Sequence, residues 1–276
     1  MSLLPGIADR DLIEGAIAIA RAASDAIVKV YHGEFAVERK ADASPVTAAD
    51  MAAHHIILDG LARLTPDVPV LSEESADEID FERRRPWQRL WLVDPLDGTR
   101  EFVKRNGEFS VNLALIENGV SVFGLVLAPV GGGLWYGGRE IGAFRRDGER
   151  ETALRVQVPA AQPLRVAASR SHHNSRIEDF MVNAHREALG GIAMLSLGSS
   201  LKFCRIAEAQ LDLYPRFGPT SEWDTAAGQA VLEAAGGAVF DPQGRPFRYN
   251  QRRSILNGDF IALGDAGLPW REWLDG

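Results

Sequence analysis

Apolar residues recur with a helical period in two stretches near the start of the sequence. Between Asp9 and Tyr31 they stand three or four positions apart, which places them on one face of an α-helix. They are Leu12, Ile13, Ala16, Ile17, Ala20, Ala23, Ile27 and Val30. Thr47–Leu64 repeats the pattern, and the segment between the two stretches is polar, which predicts a loop. We therefore expect a pair of amphipathic helices.

Short apolar runs bounded by turn residues come next and predict strands. They are Val68–Leu71, Leu90–Val93, Phe109–Ile116, Ser121–Ala128, Gly133–Tyr136 and Ala143–Arg145. Glu117-Asn118-Gly119 stands between two of them and is typical of a hairpin turn. The strand at Leu90–Val93 is expected to end abruptly at Asp94-Pro95. The first half is thus predicted to be two helices packed on a largely antiparallel sheet.

The pattern changes after Pro159 and Pro163, where predicted strands and helices alternate. The strands are Leu164–Ala168, Ile192–Ser196, Leu211–Tyr214 and Ala238–Phe240, and the helices are Ile177–Leu189, Ser200–Gln210 and Asp224–Ala235. Such alternation is typical of an α/β layer with some parallel pairing. We therefore divide the chain into two units, residues 1–159 and 160–276.

Composition fits a globular enzyme, with 276 residues of which 46% are hydrophobic and 25% charged. The net charge of −8 argues against a nucleic-acid polymer as partner, because such partners require a basic face. Arg83-Arg84-Arg85 is predicted to be a solvated loop. The single cysteine, Cys204, is expected to be a buried core thiol and fits a reducing compartment. No apolar run approaches about 20 residues and no secretory signal is visible, so we expect a cytoplasmic protein without a transmembrane segment.

The segment Trp91–Thr99 carries the strongest chemical signal. Asp94 and Asp97 stand on one short turn with the carbonyl of Leu96 between them, and Gly98 and Thr99 follow at a predicted helix start. Clustered hard oxygens beside exposed N–H donors suit a phosphate held by Mg²⁺. An Asp-Gly turn that merely closes a strand would have the same sequence.

Further acids stand at the ends of predicted elements. Glu73 and Glu74 follow a strand, Asp50 lies in the first turn of the second helix, and Asp224 begins a late helix. Each has an ordinary structural explanation, which is a solvated loop for the glutamates, a relative of a capping box for Asp50 and an N-cap for Asp224.

Three separated motifs together resemble the inositol monophosphatase family of metal-dependent, lithium-sensitive phosphatases. They are Ser72-Glu73-Glu74-Ser75, Asp94–Thr99 and Trp223–Gly228. The resemblance implies a fold of the α+β or α/β class, a layered α-β-α-β-α sandwich with its active site where two sheets meet. The first unit would carry most metal ligands, and the second would carry the specificity residues and the last metal ligand.

Four more segments resemble the bacterial 3′(2′),5′-bisphosphate nucleotidases within that family. They are Ser44–Asp50, Arg100–Phe109, Gly198–Cys204 and Leu213–Thr220. The resemblance implies Mg²⁺-dependent hydrolysis of the 3′-phosphate of adenosine 3′,5′-bisphosphate (PAP) to AMP and phosphate, in sulfur metabolism. The 5′-phosphosulfate analogue PAPS is a second candidate substrate. The resemblance also leaves open a monomer or a homodimer, and peripheral association with the cytoplasmic face of the inner membrane.

The metal ligands implied for two or three Mg²⁺ ions are oxygen atoms of five residues. They are Glu73, Asp94, Leu96 through its carbonyl, Asp97 and Asp224. Thr99 with either Glu73 or Asp50 could orient and deprotonate the attacking water, and the resemblance favours Asp50. No phosphoenzyme is required.

The substrate would contact the N–H groups of Gly98 and Thr99 and several of the metal ligands. The substrate-binding set implied is Glu73, Leu96, Asp97, Gly98, Thr99, His172, Ser199, Lys202, Arg216 and Asp224. Positions that match His172, Ser199, Lys202 and Arg216 hold the adenosine 5′-phosphate or its sugar in related nucleotidases. A solvated Lys or Arg is the ordinary alternative for the last two, and His173 competes with His172.

Three rival functions remain to be compared. An inositol monophosphatase shares every metal ligand and differs in the segments that follow them. A phosphatase of the haloacid dehalogenase type is disfavoured because Pro95 and Leu96 separate the two aspartates. A non-catalytic nucleotide or anion sensor is disfavoured because every expected carboxylate is present.

Overall fold

A computed structural model describes residues 3–33, 37–39, 45–169, 175–187 and 190–274. Helices α1 (Asp9–His32) and α2 (Ala48–Leu64) confirm the predicted helix pair to within one residue. They pack closely because Gly15 faces Leu64 and Gly60 faces Ile19, where an added Cβ would lie 2.5 and 2.6 Å from the partner side chain. The loop predicted between them was wrong in part, since it contains a small antiparallel pair, β1 (Val37–Arg39) and β2 (Pro45–Thr47).

A seven-stranded sheet follows, in the order β3-β4-β5-β6-β7-β8-β9. Its strands are β3 (Val70–Ser72), β4 (Arg89–Asp97), β5 (Ser110–Glu117), β6 (Val120–Leu127), β7 (Leu134–Gly138), β8 (Gly142–Asp147) and β9 (Arg150–Ala153). Only β3 and β4 pair in parallel, so the prediction of a largely antiparallel sheet is confirmed. The predicted hairpin is confirmed by the positive φ of Asn118 and Gly119. Strand β9 was missed because its four residues are all exposed and carry no apolar alternation.

Strand β4 does not end at Asp94-Pro95, as the sequence analysis expected, but continues to Asp97. Its pairing with β5 is irregular between Asp94 and Asp97. Proline has no backbone N–H, and such an irregularity is where a strand tolerates that loss. Leu96 is buried beyond it, which continues the apolar run.

The second sheet has five strands in the order β11-β10-β12-β14-β13. They are β10 (Leu164–Ser169), β11 (Ile192–Leu197), β12 (Leu213–Arg216), β13 (Ala238–Phe240) and β14 (Phe260–Leu263). The predicted parallel pairing is confirmed for β10, which pairs in parallel with β11 and with β12. β14 was not predicted, and it pairs antiparallel with both β12 and β13.

The remaining helices are short or lie around the second sheet. They are a 3₁₀-helix at Glu73–Glu78, α3 (Phe81–Arg84), α4 (Thr99–Val103), α5 (Ser175–Glu187), α6 (Leu201–Ala207) and α7 (Glu222–Ala234). In the described part of the chain, no helix is both long and apolar enough to cross a membrane.

The structure has five layers, and three apolar clusters hold them together. The middle cluster contacts both sheets and the helices α6 and α7 between them. Residues 91 and 93 of β4 pack under α1 and α2, whereas residues 90 and 92 face α6, α7 and the second sheet, because successive residues of a strand point to opposite faces. A third cluster lies between the other face of the second sheet and α5. The predicted α-β-α-β-α sandwich is confirmed. Cys204 is fully buried in the middle cluster, as predicted.

Arg84 contradicts the prediction that residues 83–85 form a solvated loop. It belongs to α3 and is only 1% exposed. Its guanidinium donates to Oδ1 of Asn250 and to the carbonyl oxygens of Arg252 and Arg253, at 2.7–2.9 Å. The partners are more than 160 residues away, so local composition could not reveal them.

Candidate active site

One pocket of about 280 Å³ lies where the end of β4 meets the starts of α6 and α7 and the end of β12. All predicted site residues that the structure describes, except Asp50, line it. They are Glu73, Asp94, Leu96, Asp97, Gly98, Thr99, Ser199, Lys202, Arg216 and Asp224. The chain therefore brings residues from both predicted units to one cavity. The boundary at residues 159–160 itself stays a prediction.

Three carboxylates form the centre of the pocket. Oxygen atoms of Asp94, Asp97 and Asp224 lie within 4.8 Å of one another. The irregular end of β4 supplies the first two, and the first turn of α7 supplies the third. Asp94 Oδ1 accepts from the N–H of Leu96 at 3.0 Å, and Asp224 Oδ2 accepts from the N–H of Ser221 at 2.8 Å. Asp224 thereby completes a capping box as well as facing the pocket.

Burial and crowded negative charge perturb two of these acids, Asp94 and Asp224. Burial, together with the charges of Glu73, Asp97, Asp224 and Asp50, raises the pKa of Asp94 well above its usual value. Burial and the charges of Asp97 and Glu73 raise the pKa of Asp224 in the same way. A hard divalent cation would reverse this effect, because it favours the ionised carboxylates. The all-oxygen donor set therefore fits such an ion.

The three candidate catalytic residues stand around this cluster. Glu73 begins the 3₁₀-helix and lines the pocket. The Thr99 hydroxyl donates to the carbonyl oxygen of Leu96 at 3.3 Å. Asp50 lies in the first turn of α2, only 2% exposed, and does not line the pocket. Its charge nevertheless acts on Asp94, so it lies near the cluster without lining the pocket.

Gly98 makes the sharp turn between β4 and α4. Its φ is +94°, a conformation that other residues rarely adopt. A Cβ there would also lie 3.1 Å from the carbonyl oxygen of Glu108. Glycine at this position lets the chain reverse directly after Asp97 and begin α4 at Thr99.

Two buried cations form another wall of the pocket. Lys202 and Arg216 are each 5% exposed, so neither is the solvated side chain that the sequence allowed. Lys202 Nζ donates to the carbonyl oxygens of Leu197 and Ser199, at 3.2 and 2.6 Å. Burial lowers the pKa of Lys202 to about 8. Arg216 donates to the carbonyl oxygen of Pro219 at 2.9 Å, while its Nε has no hydrogen-bond partner among the described residues.

The remaining positions of interest are Ser199, the histidine pair and two neighbours of Asp97. Ser199 has a positive φ of 49° and contributes its carbonyl oxygen to Lys202. His172 and the competing His173 lie outside the described residues. Ser200 and Asn112 both contact Asp97 and were not predicted as site residues. A signal for Asn112 was present, since it is a lone amide in the apolar run of β5.

Comparison with known proteins gives consistent relatives. The 3′(2′),5′-bisphosphate nucleotidase CysQ of Escherichia coli strain K12 is 53% identical over 245 residues, which covers 88% of this chain and 95% of that protein. CysQ of Salmonella typhimurium strain LT2 is 51% identical over 251 residues, covering 90% and 98%.

Structural comparison agrees with the sequence relatives. The crystal structure of CysQ from Bacteroides thetaiotaomicron, described as a bacterial member of the inositol monophosphatase family, has a TM-score of 0.80 at 38% identity. The match covers 91% of this chain and 96% of that one. The family model of the inositol monophosphatases matches residues 8–265. The chain belongs to the inositol monophosphatase family.

Proposed function

We propose that this protein is a 3′(2′),5′-bisphosphate nucleotidase that hydrolyses the 3′-phosphate of PAP to give AMP and phosphate, with PAPS as a second substrate. The two relatives named above, which carry this name, are 51% and 53% identical over about nine-tenths of the chain. The proposal places the enzyme in nucleotide recycling during sulfur assimilation.

The main support for the proposal is that an acidic cluster and two buried cations lie in the same pocket. A carboxylate cluster suited to cations lies in the same cavity as the buried side chains of Lys202 and Arg216. A bisphosphate substrate has one phosphate for each feature, whereas an inositol monophosphate has only one phosphate. Burying two cations without full pairing is unfavourable, and a bound anion would offset that penalty.

The residues suited to hold two or three Mg²⁺ ions are those already grouped by the sequence. They are Glu73, Asp94, Leu96 through its carbonyl, Asp97 and Asp224. Bound Mg²⁺ would supply Lewis acidity and lower the pKa of a coordinated water. Thr99 and Asp50, with Glu73 as the alternative base, would orient that water and accept its proton. The N–H groups of Gly98 and Thr99 would donate to the 3′-phosphate that is hydrolysed.

The second phosphate would lie against Lys202, Arg216 and Ser199. The Nε of Arg216, which has no hydrogen-bond partner in the described part of the chain, is available to donate to it. His172 as a further contact stays a prediction, as do the cytoplasmic location, the peripheral membrane association and the monomeric or homodimeric state. No nucleic-acid polymer is proposed as a partner.

The test compares PAP with adenosine 3′-monophosphate, which lacks only the 5′-phosphate. Lys202→Ala or Arg216→Ala should lower kcat/KM for PAP by about 10–100-fold, because each removes one charge-assisted contact that positions the substrate. Hydrolysis of the monophosphate should change little. Initial rates of phosphate release in Mg²⁺ give both values.

Lys29→Ala is the matched control, because Lys29 is exposed on α1 and is not among the residues that line the pocket. It should leave both substrates unaffected. Equal losses on PAP and on the monophosphate would contradict a role for Lys202 and Arg216 in binding the 5′-phosphate. Faster hydrolysis of inositol 1-phosphate than of PAP by the unchanged protein would favour the inositol monophosphatase alternative.

A further inference from the structure

One oxygen of Asp97 is surrounded by donors from two different layers. Oδ2 accepts from the backbone N–H of Ser200 at 2.6 Å, lies 2.8 Å from the Ser200 hydroxyl and accepts from Nδ2 of Asn112 at 3.3 Å. Ser200 and Asn112 are each only 1% exposed. Asn112 belongs to β5 of the first sheet, and Ser200 precedes α6 beside the second sheet.

The Ser200 hydroxyl also connects Asp97 to the helix that carries Asp224. It lies 2.7 Å from the carbonyl oxygen of Asp224 and accepts from Nδ2 of Asn112 at 2.8 Å. A hydroxyl has one proton, so it donates to Asp97 or to the Asp224 carbonyl at any moment while accepting from Asn112. The three residues therefore form one connected polar network under the carboxylate cluster.

This hydroxyl is not used for helix capping. Ser200 stands at the N-cap position of α6, but its side chain makes no hydrogen bond to the first turn of that helix. A serine that capped α6 would accept a hydrogen bond from a backbone N–H of that turn. Its side chain instead turns toward Asp97, which points to a role in the carboxylate cluster.

We propose that Ser200 and Asn112 are positioning residues, which hold Asp97 by Oδ2 so that Oδ1 is presented to a divalent cation at a fixed place relative to Asp224. The proposal deepens the metal-dependent phosphatase function proposed above and rests on it. Asp97 lies within 4.8 Å of two other carboxylates, whose repulsion would turn it away without this restraint. Removing a residue that hydrogen-bonds to a metal ligand typically weakens metal affinity by about 10–100-fold.

The test measures cation binding directly, without substrate. Mn²⁺ titrations followed by electron paramagnetic resonance should give dissociation constants about 10–100-fold weaker for Ser200→Ala and Asn112→Ala than for the unchanged protein. Ser200→Thr keeps the hydroxyl and should recover most of the affinity. The matched control is Ser110→Ala, since Ser110 is also buried on β5 and its Oγ finds no hydrogen-bond partner within the described ranges.

Kinetics supply a second readout. Ser200→Ala and Asn112→Ala should raise the Mg²⁺ concentration needed for half-maximal rate, and should lower kcat/KM for PAP and adenosine 3′-monophosphate by the same factor. This differs from Lys202→Ala, which should affect PAP alone. If Ser200→Ala does not fold, Asn112→Ala carries the same comparison.

Two results would overturn the inference. One is a Mn²⁺ affinity of both variants equal to that of Ser110→Ala. The other is a lower unfolding temperature in EDTA with unchanged Mn²⁺ affinity, which would mean a purely structural role. A failure of the unchanged protein to hydrolyse PAP would refute the proposed function instead, and the Mn²⁺ comparison would still decide this inference.

Discussion

At Asp94, a charge that burial disfavours in the isolated fold is one that the proposed metal site would need. It is 1% exposed, and three of the acids around it line the same pocket. Asn is nearly isosteric with Asp and keeps the acceptor that the N–H of Leu96 uses. The substitution would therefore remove a charge without removing the hydrogen bond.

Asp94→Asn should lower kcat on PAP by about 1,000-fold or more, which corresponds to about 4 kcal/mol of transition-state stabilisation. The unfolding temperature in EDTA should not fall, because one like charge leaves a crowded cluster. Asp25→Asn, at an exposed position of α1, serves as the control for both measurements. A kcat within about tenfold of the unchanged enzyme would refute the role of Asp94 as a metal ligand.

Lys202 gives a prediction about pH. Burial lowers its pKa to about 8 from 10.5, so the ammonium is charged below pH 8 and progressively neutral above it. Under the proposed function, only the charged form would attract the second phosphate. The ratio of kcat/KM for PAP to that for adenosine 3′-monophosphate should therefore fall as the pH rises from 7 to 9, since kcat/KM reports ionisations of the free enzyme.

The ratio cancels ionisations that affect both substrates, such as that of the attacking water. Lys202→Arg should flatten the profile, because a guanidinium stays charged in this range. A ratio independent of pH in the unchanged enzyme would show that Lys202 is not the group that attracts the 5′-phosphate.

At the scale of elements, the position of α7 depends on a glycine in the strand beneath it. Gly124 lies in β6, and a Cβ there would clash with the backbone carbonyl of Ala227 in α7. The Ser121 hydroxyl, on the same strand, donates to the carbonyl oxygen of Ala226 at 2.8 Å. Strand and helix backbones thus touch directly, one turn from Asp224.

Gly124→Ala should destabilise the protein by about 1–3 kcal/mol, because α7 has to move away from the sheet. It should also lower kcat, since the same movement displaces Asp224 from Asp94 and Asp97. Gly258→Ala is the control, because nothing lies within 4 Å of a Cβ at that exposed position. Urea unfolding and initial rates measure the two effects, and a stability equal to that of the control would contradict the close packing.

For the whole molecule, the sequence pattern predicted those elements that depend on neighbouring residues alone. Helices α1 and α2 and the hairpin at Asn118-Gly119 follow from periodicity and turn residues, and the structure confirms them. Contacts between distant segments carried no local signal. Arg84 bonds to Asn250, and Asn112 bonds to Ser200 across 88 positions. Spacing alone also could not bring Asp224 to Asp94; the resemblance of three motifs to a known family supplied that grouping.

The carboxylate cluster joins residues from both halves of the chain, so a bound cation should stabilise the whole molecule. The pKa values of Asp94 and Asp224 are raised in the folded protein. At a pH above the usual carboxyl pKa, the folded protein therefore holds more protons than the unfolded chain. Stability from these two groups is therefore present at low pH and is lost as the pH rises through their raised pKa values. Mg²⁺ competes with those protons, so its stabilisation should grow with pH.

Thermal unfolding at pH 6 and pH 8, in EDTA and in excess Mg²⁺, tests this expectation. At a Mg²⁺ concentration 100 times the dissociation constant the stabilisation is about 2.7 kcal/mol, or a rise in Tm of roughly 5–10 °C for a chain of this size. The rise should be larger at pH 8 and nearly absent in Asp94→Asn. Burial also raises the pKa of Glu222 to about 7, so its stabilising contribution likewise falls as the pH rises. This contribution is the same in the unchanged protein and in Asp94→Asn. The difference between the two proteins therefore reports the carboxylate cluster alone. Equal Mg²⁺ shifts at both pH values, or a shift retained in Asp94→Asn, would show that the cation binds elsewhere.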